Sequence, residues 1–530
     1  MALMEDGSLA RAGRLRFGIF EREAALRAGL AAAVIALLIS RVLLAATANL
    51  AEDEAYYWLW STHLAGGYYD HPPMIAYWIR AGTAIFGKTE FGVRFAALLS
   101  AVAGSYLLYR TSLALFRDRN AALLCVIWMN ATLLCNASAI VATPDTPLGF
   151  FTALTLFCLA KLIETGRGAW WYAIGAGLGL AFVSKYTAAL LIPCLFVWMI
   201  ATAQGRRWFA RPEPYLGAAI AVLIVTPVVS WNYAHDWVSF AKQAEHGIKD
   251  RPADAFLSVL ELLSSQAGLA TPLIFIFCVF GSAYAFVRGV RFGNARWLLL
   301  GAMSAPILLF FFVHAASQKI QPNWPGLLYP AAILAAVHGF LAVSGEKRVP
   351  KWVRASFSLA PWVAVAFTAA AFAQLSLGAL PIDAKKDPTA RLKGWAKLGG
   401  EIERLQREHG AQIVLTDRYA ITGELAFYGL DPERVVQVNE RIRYASFPSP
   451  DEAKLEHAPA LLVLRQGSDA APVSRFFGNS SLIATLTRDD GFRPHDAYDV
   501  LLMTNYRGGL FGQAAGEGCG AALNRGGTCN

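Results

Sequence analysis

Charge and cysteine are two things that this sequence has little of. Only 16% of its 530 residues are Asp, Glu, Lys or Arg, whereas a soluble domain carries about 25%. The apolar fraction is 56%, which excludes an intrinsically disordered chain and a collagen. Seven cysteines are too few for a disulfide-rich secreted module, and no Cys and His spacing matches a zinc site. The composition predicts a polytopic membrane protein that carries some soluble mass.

Long apolar runs are abundant by contrast. A run of about 18 apolar residues can cross a bilayer as a helix, and about eleven regions meet or approach that length. They lie near residues 28–48, 92–115, 120–139, 146–163, 169–184, 186–203, 214–232, 259–287, 297–314, 325–343 and 355–377. Only Lys185 separates two of them, so that about 10 to 13 spans agree with the sequence. The predicted fold is mainly α.

The basic excess, 47 Lys and Arg against 38 Asp and Glu, is distributed as a membrane topology requires. Loops expected on one side carry 20 of the basic residues, and loops on the other side up to residue 377 carry 8. By the positive-inside rule, residues 1–27 form a cytoplasmic N-terminus. Topology thus accounts for the positive charge, and nucleic acid is not an expected partner. With an odd number of spans, the chain after residue 377 faces outward.

The character of the sequence changes after residue 378. Residues 379–507 are more charged and mix helical spacing with short alternating runs, which predicts a small outward α/β domain. Helices are expected over 390–409 and 421–428, and strands over 412–415, 435–438, 460–464, 482–486 and 498–503. Residues 508–530 form a Gly-rich tail, in which Cys519 and Cys529 are available to pair in an oxidising compartment.

The first outward loop concentrates acidic residues. Three consecutive acids at 52–54 follow the first span, and an Asp-His-Pro-Pro element follows at 70–73. Two helices are expected within 53–87, lying along the membrane interface, because aromatic side chains such as Tyr57 prefer that level. A helix N-cap needs one acid rather than three. The sequence therefore favours a catalytic or cation-binding carboxylate cluster, with capping as the alternative.

Other polar residues stand at predicted span ends on the same side. For Asp145, between two prolines, helix capping is an equally good interpretation. Lys185 lies between two apolar segments, where an ammonium is costly unless it snorkels or pairs, and Lys319 is placed similarly. Sugar transfer from a lipid phosphate needs a carboxylate base and cations that neutralise the leaving phosphate. The outward side of this protein offers both.

At these residues the sequence resembles the GT-C glycosyltransferases of the family 39/83 type. That group includes protein mannosyltransferases and bacterial enzymes that attach aminoarabinose or galacturonic acid to lipid A and its core. The match comprises Asp53-Glu54, the Tyr-Asp-His-Pro-Pro element at 69–73, Asp145, Lys185 within Val-Ser-Lys-Tyr, and Gln-Pro-Asn-Trp-Pro at 321–325. The resemblance covers roughly residues 28–345. It implies a transmembrane catalytic domain of the GT-C type, which we place at 28–378.

The resemblance also implies roles for the acids. Asp53 is expected to act as the general base or to orient the acceptor, with Glu54 in support. Asp145 is expected to bind the acceptor or a metal ion. The resemblance requires no cofactor and leaves room for a divalent metal ion at Asp53 and Asp145.

The binding residues follow in the same way. Asp70 and His71 are expected to line the site, and Lys185 and Lys319 to hold the donor phosphate. The predicted binding set is completed by Tyr57 and Asn323. Aminoarabinose transferases tend to have Glu-Lys where this chain has Asp70-His71, so the identity of the sugar stays open.

The sequence thus predicts an enzyme of a bacterial inner membrane with its active site facing the periplasm, and the resemblance implies that it inverts the anomeric centre. It would move a hexose or pentose from a polyprenyl-phosphate donor to an envelope acceptor, with lipid A or lipopolysaccharide core as the leading expectation. The alternatives are an enzyme like the protein O-mannosyltransferases, a flippase or transporter of lipid-linked sugar, and a non-catalytic scaffold. A transporter would carry its charges near the bilayer midplane in paired repeats.

Overall fold

The protein is a bundle of helices that carries one small sheet near its C-terminal end. The computed structural model describes residues 28–249, 254–346, 349–383, 386–490 and 493–511. The expected cytoplasmic segment 1–27 lies outside the described residues, as does the tail after 511 with Cys519 and Cys529. The five cysteines within predicted spans are buried and free, as expected for small apolar fillers.

In chain order the helices are α1 (Ala28–Thr47), α2 (Glu52–Thr62), α3 (Met74–Phe86), α4 (Glu90–Phe116), α5 (Arg119–Ala131), α6 (Leu133–Ile140), α7 (Asp145–Thr165), α8 (Trp170–Ser184), α9 (Leu191–Ala201), α10 (Ala203–Arg206), α11 (Glu213–Ala234), α12 (Val238–Lys249), α13 (Ala255–Leu269), α14 (Pro272–Phe292), α15 (Ala295–Ala302), α16 (Ala305–Ala315), α17 (Tyr329–Glu346), α18 (Lys351–Leu377), α19 (Trp395–Glu408), α20 (Tyr419–Phe427), α21 (Ala453–His457) and α22 (Ala471–Ser474). The strands are β1 (Ile413–Thr416), β2 (Val435–Gln437), β3 (Ala460–Arg465), β4 (Phe477–Asp489) and β5 (Pro494–Tyr506).

Within the described ranges, 8 helices are long and apolar enough to cross a membrane, or up to 10 if each of two bent pairs is one span. The straight candidates are α1, α4, α7, α11, α14, α18, the combined α15–α16 stretch and the 324–346 stretch that contains α17. The bent pairs are α5 with α6, at 62°, and the stretch 186–201 with 203–210, at 104°. Ten of the predicted spans coincide wholly or partly with these elements.

The remaining predicted span, 169–184, is α8. Its 15 residues are short for a straight crossing of a hydrocarbon layer about 30 Å thick. However, Lys185 at its end contacts Asp145, at the start of α7, and Gly168 before its start lies against Glu213, at the start of α11. Helix α8 therefore runs antiparallel to α7 and brings Lys185 to the level of Asp145.

One predicted region proves to be two helices. The sequence predicts a single span over 259–287, but α13 ends at Leu269 and α14 begins at Pro272. Proline disfavours helical geometry at the residue before it and lacks the N–H that would continue the helix. Only α14 is a candidate span, and α13 packs beside the loop before α17, where Gln266 Nε2 donates to the Pro322 carbonyl (2.7 Å).

The C-terminal sheet has the strand order β2-β1-β3-β5-β4. Strand β1 pairs in parallel with β2 and β3, and β5 pairs antiparallel with β3 and β4. All five predicted strands are present, and the predicted helix at 421–428 corresponds to α20. The central strands β1 and β3 bury apolar side chains on both faces of the sheet, so helices must cover both faces. Helices α19 and α20 pack on one face, and α21 and α22 pack on the other.

The aromatic rings of helix α2, which the sequence places at the level of a membrane interface, are buried inside the protein. Tyr56, Tyr57, Trp58 and Trp60 are each at most 6% exposed. Helix α20 packs over α2, and the ring of Phe427 lies 5.0 Å from that of Trp58. The C-terminal domain offers these rings an apolar surface to pack against, and the level of α2 relative to a membrane interface stays a prediction. Helix α2 is therefore held between the transmembrane bundle and the C-terminal domain.

A buried ion pair anchors the start of α2. Arg94, on α4, donates to both carboxylate oxygens of Glu54, at 2.9 and 2.6 Å, and both side chains are fully buried. Glu54 also accepts from the backbone N–H groups of Ala51 and Ala142. Arg94 also donates to three carbonyls between residues 45 and 49. Charges withdrawn from water require this degree of pairing, so that losing either partner is costly.

Replacing Glu54 with Gln should therefore destabilise the protein by about 3–5 kcal/mol, because the Arg94 charge would stay buried without its partner. The measurement is the thermal unfolding midpoint of the purified protein in detergent. The matched control is Glu408→Gln, which breaks an exposed pair with Arg404 on α19 and should cost less than about 1 kcal/mol. Equal midpoints for the two variants would contradict the anchoring role.

Candidate active site

Six of the predicted site residues line one cavity of about 560 Å³. They are Asp53, Tyr57, Asp70, His71, Lys185 and Lys319. The wall is formed by α2, α12, α16, the segment 318–324 and the C-terminal domain. The volume suits a ligand about the size of a sugar with its phosphate. Folding thus gathers these residues from three separate regions of the sequence, 53–71, 185 and 319, around one space.

Asp53 and Glu54 are neighbours in sequence but point in different directions. Successive residues of an α-helix are rotated by about 100°, so that one acid faces the cavity while the next faces α4. The capping alternative does not hold for Asp53, since the residue before α2 is Ala51 and the acid that binds its N–H is Glu54. Glu54, expected to support catalysis, does not line the cavity.

The carboxyl group of Asp53 is open to the cavity. The hydroxyl of Tyr419 donates to its Oδ1 (3.1 Å). Burial of the surrounding site raises the pKa of the Asp53 carboxyl above its ordinary value, and the hydrogen bond from Tyr419 and the charge of Arg391 offset part of this rise. A carboxylate whose pKa lies closer to neutrality is a stronger general base.

Asp145 and Lys185 form a buried pair at the back of the cavity. The Lys185 ammonium donates to both Asp145 oxygens, at 2.8 Å each, and Asn323 Nδ2 donates to Oδ2 (2.6 Å). This pairing, rather than helix capping or snorkelling, accounts for both residues. Lys185 faces the cavity, whereas Asp145 and Asn323 lie behind it and border a separate, mainly apolar crevice.

Asp70 is held by three elements. Its Oδ2 accepts from the Tyr56 hydroxyl (3.0 Å) and forms an ion pair with Arg443 of the C-terminal domain. Its backbone carbonyl accepts from Gln243 Nε2 on α12 (3.0 Å). The next residue, His71, faces the cavity with its ring 6.2 Å from that of Tyr57.

Several cavity residues have no counterpart in the sequence-based prediction. These are Tyr419 and Arg443 from the C-terminal domain, Lys242 and Gln243 from α12, and His314 from α16. Tyr419 stands 366 residues from Asp53, and no local pattern marks it or Arg443. Lys242 belongs to a basic outward loop, and the positive charge of that loop is the sequence feature that could have indicated a binding role for Lys242.

The cavity does not fit the optional metal site. Within the described ranges, no three His, Cys, Asp or Glu side chains lie close enough together to hold a metal ion. Asp145, one of the two expected ligands, has both oxygens engaged by Lys185. A divalent ion prefers several oxygen ligands that no ammonium occupies, so we derive no catalytic step from a metal.

Comparisons with known proteins agree with the resemblance. Residues 70–231 match the family model described as dolichyl-phosphate-mannose-protein mannosyltransferase. The chain is 27% identical over 389 residues to the lipid A galacturonosyltransferase RgtD of Rhizobium johnstonii, covering 71% of this chain and 77% of that protein. It is 28% identical over 293 residues to undecaprenyl phosphate-alpha-4-amino-4-deoxy-L-arabinose arabinosyl transferase 1 of Sodalis glossinidius, covering 52% and 50% of the two chains.

The fold also matches solved structures. The crystal structure of ArnT from Cupriavidus metallidurans in the apo state superimposes with a TM-score of 0.58 at 17% identity, over 90% of this chain and 98% of that one. The structure of the same protein bound to undecaprenyl phosphate gives a TM-score of 0.56. At that identity the likeness concerns the fold. Together with the sequence relatives, it shows that this multi-pass membrane chain is similar to glycosyltransferases of the GT-C type, with a match to the dolichyl-phosphate-mannose-protein mannosyltransferase family model at residues 70–231.

Proposed function

We propose that this protein transfers a sugar from a polyprenyl-phosphate donor to lipid A or the lipopolysaccharide core. The observation that carries the proposal is a single cavity in which the carboxylate of Asp53 faces a set of cations. The named activities of the sequence relatives support the choice of substrates: one is a lipid A galacturonosyltransferase, and another uses an undecaprenyl-phosphate sugar.

The reaction that fits this geometry is a single displacement. Asp53 accepts the proton of the acceptor hydroxyl, whose oxygen attacks the anomeric carbon from the face opposite the phosphate. The bond from the anomeric carbon to the phosphate oxygen breaks, and polyprenyl phosphate leaves with the bonding electron pair. Cations around the cavity stabilise the charge that develops on the phosphate, and the anomeric configuration inverts.

The charges in the cavity favour an anionic donor sugar. Two of the four Lys and Arg side chains that line it, Lys185 and Arg443, already pair with carboxylates. The other two, Lys242 and Lys319, form no ion pair within 4 Å in the described part of the chain. A donor with a phosphodiester and a uronic acid carboxylate would match these two charges. An amino sugar would place a third ammonium near them. We therefore propose a hexuronic acid, such as galacturonic acid, as the sugar.

The protein is proposed to act in a bacterial inner membrane with the cavity facing the periplasm. The uneven distribution of Lys and Arg between the two sets of loops supports this orientation. Helix α2, the segment with Asp70 and His71, Lys185, Lys319 and the C-terminal domain all meet at the cavity, as expected if they lie on one side of the bilayer.

The donor prediction is tested with the purified protein in lipid vesicles that contain lipid A. Polyprenyl-phosphate galacturonic acid should support transfer at least about tenfold faster than the aminoarabinose donor. The ammonium groups of the cavity attract the carboxylate of galacturonic acid and repel the amino group of aminoarabinose. Mass spectrometry of the lipid A measures the product. Lys242→Met should reduce this preference, and Lys351→Met, at the start of α18, should not. An equal rate with both donors would refute the uronic acid, and no product with either would refute the transferase.

The catalytic assignment of Asp53 makes a second prediction. Asp53→Asn should lower the transfer rate about 10²–10⁴-fold, because the amide cannot accept the acceptor proton. The control is Glu52→Gln, which changes an adjacent acid that does not line the cavity and should retain most activity. Size-exclusion chromatography verifies that both variants are folded. Wild-type activity in Asp53→Asn would remove this residue from the mechanism.

A further inference from the structure

The C-terminal domain approaches α2 more closely than side chains normally allow. Gly423, in the middle of α20, lies so near α2 that a Cβ there would stand 2.7 Å from the backbone nitrogen of Tyr56. A side chain at position 423 would therefore force the two helices apart. Because only glycine permits this approach, the domain sits directly on the helix that carries Asp53.

Hydrogen bonds fix the domain in this position. The Tyr428 hydroxyl accepts from the backbone N–H of Leu50 (2.7 Å) and donates to Glu90 at the start of α4 (2.9 Å). Lys88 donates to the carbonyl of Ala426, at the end of α20 (2.9 Å). These contacts join α20 to the segment before α2 and to the loop before α4. The position of the domain over the cavity is thus set by several independent elements.

Two side chains of the domain reach the acids of the cavity. Tyr419, the first residue of α20, donates its hydroxyl to Asp53, and its ring lies 4.8 Å from that of Tyr56. Arg443, in the short helix Arg441–Tyr444, pairs with Asp70 and with Glu440. The guanidinium of Arg443 also lies over the ring of Tyr419, 4.6 Å from its centre. The two residues therefore form one connected unit.

We propose that Tyr419 and Arg443 are positioning residues through which the C-terminal domain orients Asp53 and neutralises Asp70 in the cavity that holds the donor phosphate. This inference rests on the proposed transferase and assigns the domain a direct part in the reaction. Tyr419 holds the Asp53 oxygen that it contacts, so that the other oxygen faces the acceptor. Arg443 neutralises Asp70, whose charge would otherwise repel the phosphate in the same cavity.

The inference makes a statement about pH. The hydrogen bond from Tyr419 favours the ionised carboxylate and so limits the rise in the pKa of Asp53. Asp53 is faced or approached by charged and titratable groups from several elements: Tyr419, Arg391, Glu52, Glu54, Asp70 and Tyr57. The cavity is lined by further groups of this kind: Tyr56, His71, Lys185, Tyr186, Lys242, His314, Lys319 and Arg443. Loss of the Tyr419 hydroxyl should raise the pKa of Asp53. As the pH is lowered, Asp53 of the variant would be protonated earlier, so activity would be lost at a higher pH than in the wild type.

The test compares pH–rate profiles of the full-length protein with Tyr419→Phe. The acidic limb of the profile should move to higher pH by about one unit. At pH values below the pKa of Asp53 the rate should be roughly tenfold lower than in the wild type, and at pH values well above it the rate should be largely restored. The matched control is Tyr506→Phe, which removes a hydroxyl that donates to Glu452 (3.0 Å) in the same domain. It should leave the profile unchanged. A role for Tyr419 in folding alone would lower the rate equally at every pH, and that result would overturn the inference.

Arg443 gives an independent measurement. Arg443→Gln should raise the KM for the donor about tenfold, because Asp70 then repels the phosphate, and Arg443→Lys should restore most of the loss. Arg465→Lys, which alters an Arg–Asp pair elsewhere in the domain, should have no effect. An unchanged KM in Arg443→Gln would overturn the proposed role of Arg443. These outcomes differ from failure of the proposed function, in which the wild-type protein itself gives no product.

Discussion

The buried pair between Glu54 and Arg94 is the interaction on which the geometry of the site depends. It fixes the start of α2 against α4, and with it the direction in which Asp53 points. Both charges are withdrawn from water, so separating them would leave a buried charge without a partner. Their pairing and the surrounding hydrogen bonds to the backbone therefore favour one position of α2. The residue that we propose as the general base is therefore positioned by the acid beside it.

A second constraint is the balance of charge around the cavity. Two acids at or directly behind the cavity are already compensated: Asp145 pairs with Lys185, and Asp70 pairs with Arg443. Asp53 accepts a hydrogen bond from the Tyr419 hydroxyl and forms no ion pair within 4 Å among the described residues, and so remains able to accept a proton. This separation of paired acids from a single unpaired base is what a displacement at a phosphate-bearing carbon requires.

The C-terminal domain and the transmembrane bundle form a common site. The aromatic side chains of α2 belong to the same apolar cluster as Leu425 and Phe427 of α20. That packing removes the aromatic face from any lipid contact and places Tyr419 at the cavity wall. The domain thus combines a structural task, covering α2, with a position from which it can influence the reaction.

Much of this arrangement could be predicted from the sequence. The lengths of the apolar runs located the spans, the alternation of residues located all five strands, and acids at a span end indicated the site, because each of these signals is local. The proline at position 272 marks the break within the predicted span 259–287. The long apolar run on both sides of it nevertheless favoured a single helix. Of the predicted binding group, Asp70, His71, Lys185 and Lys319 line one cavity whereas Asn323 lies behind it, and the roles of these residues remain predictions.

The sequence by itself determined that the chain spans a membrane many times and concentrates acids and lysines at the ends of its spans, because hydrophobic length and local composition dictate those features. Only the tertiary structure decided which acid faces the cavity, since neighbouring helical residues point about 100° apart and packing against α4 selects between them. It also decided that Tyr419 and Arg443 complete the site. Contacts between residues hundreds of positions apart depend on how α20 packs on α2, and no local pattern encodes that packing.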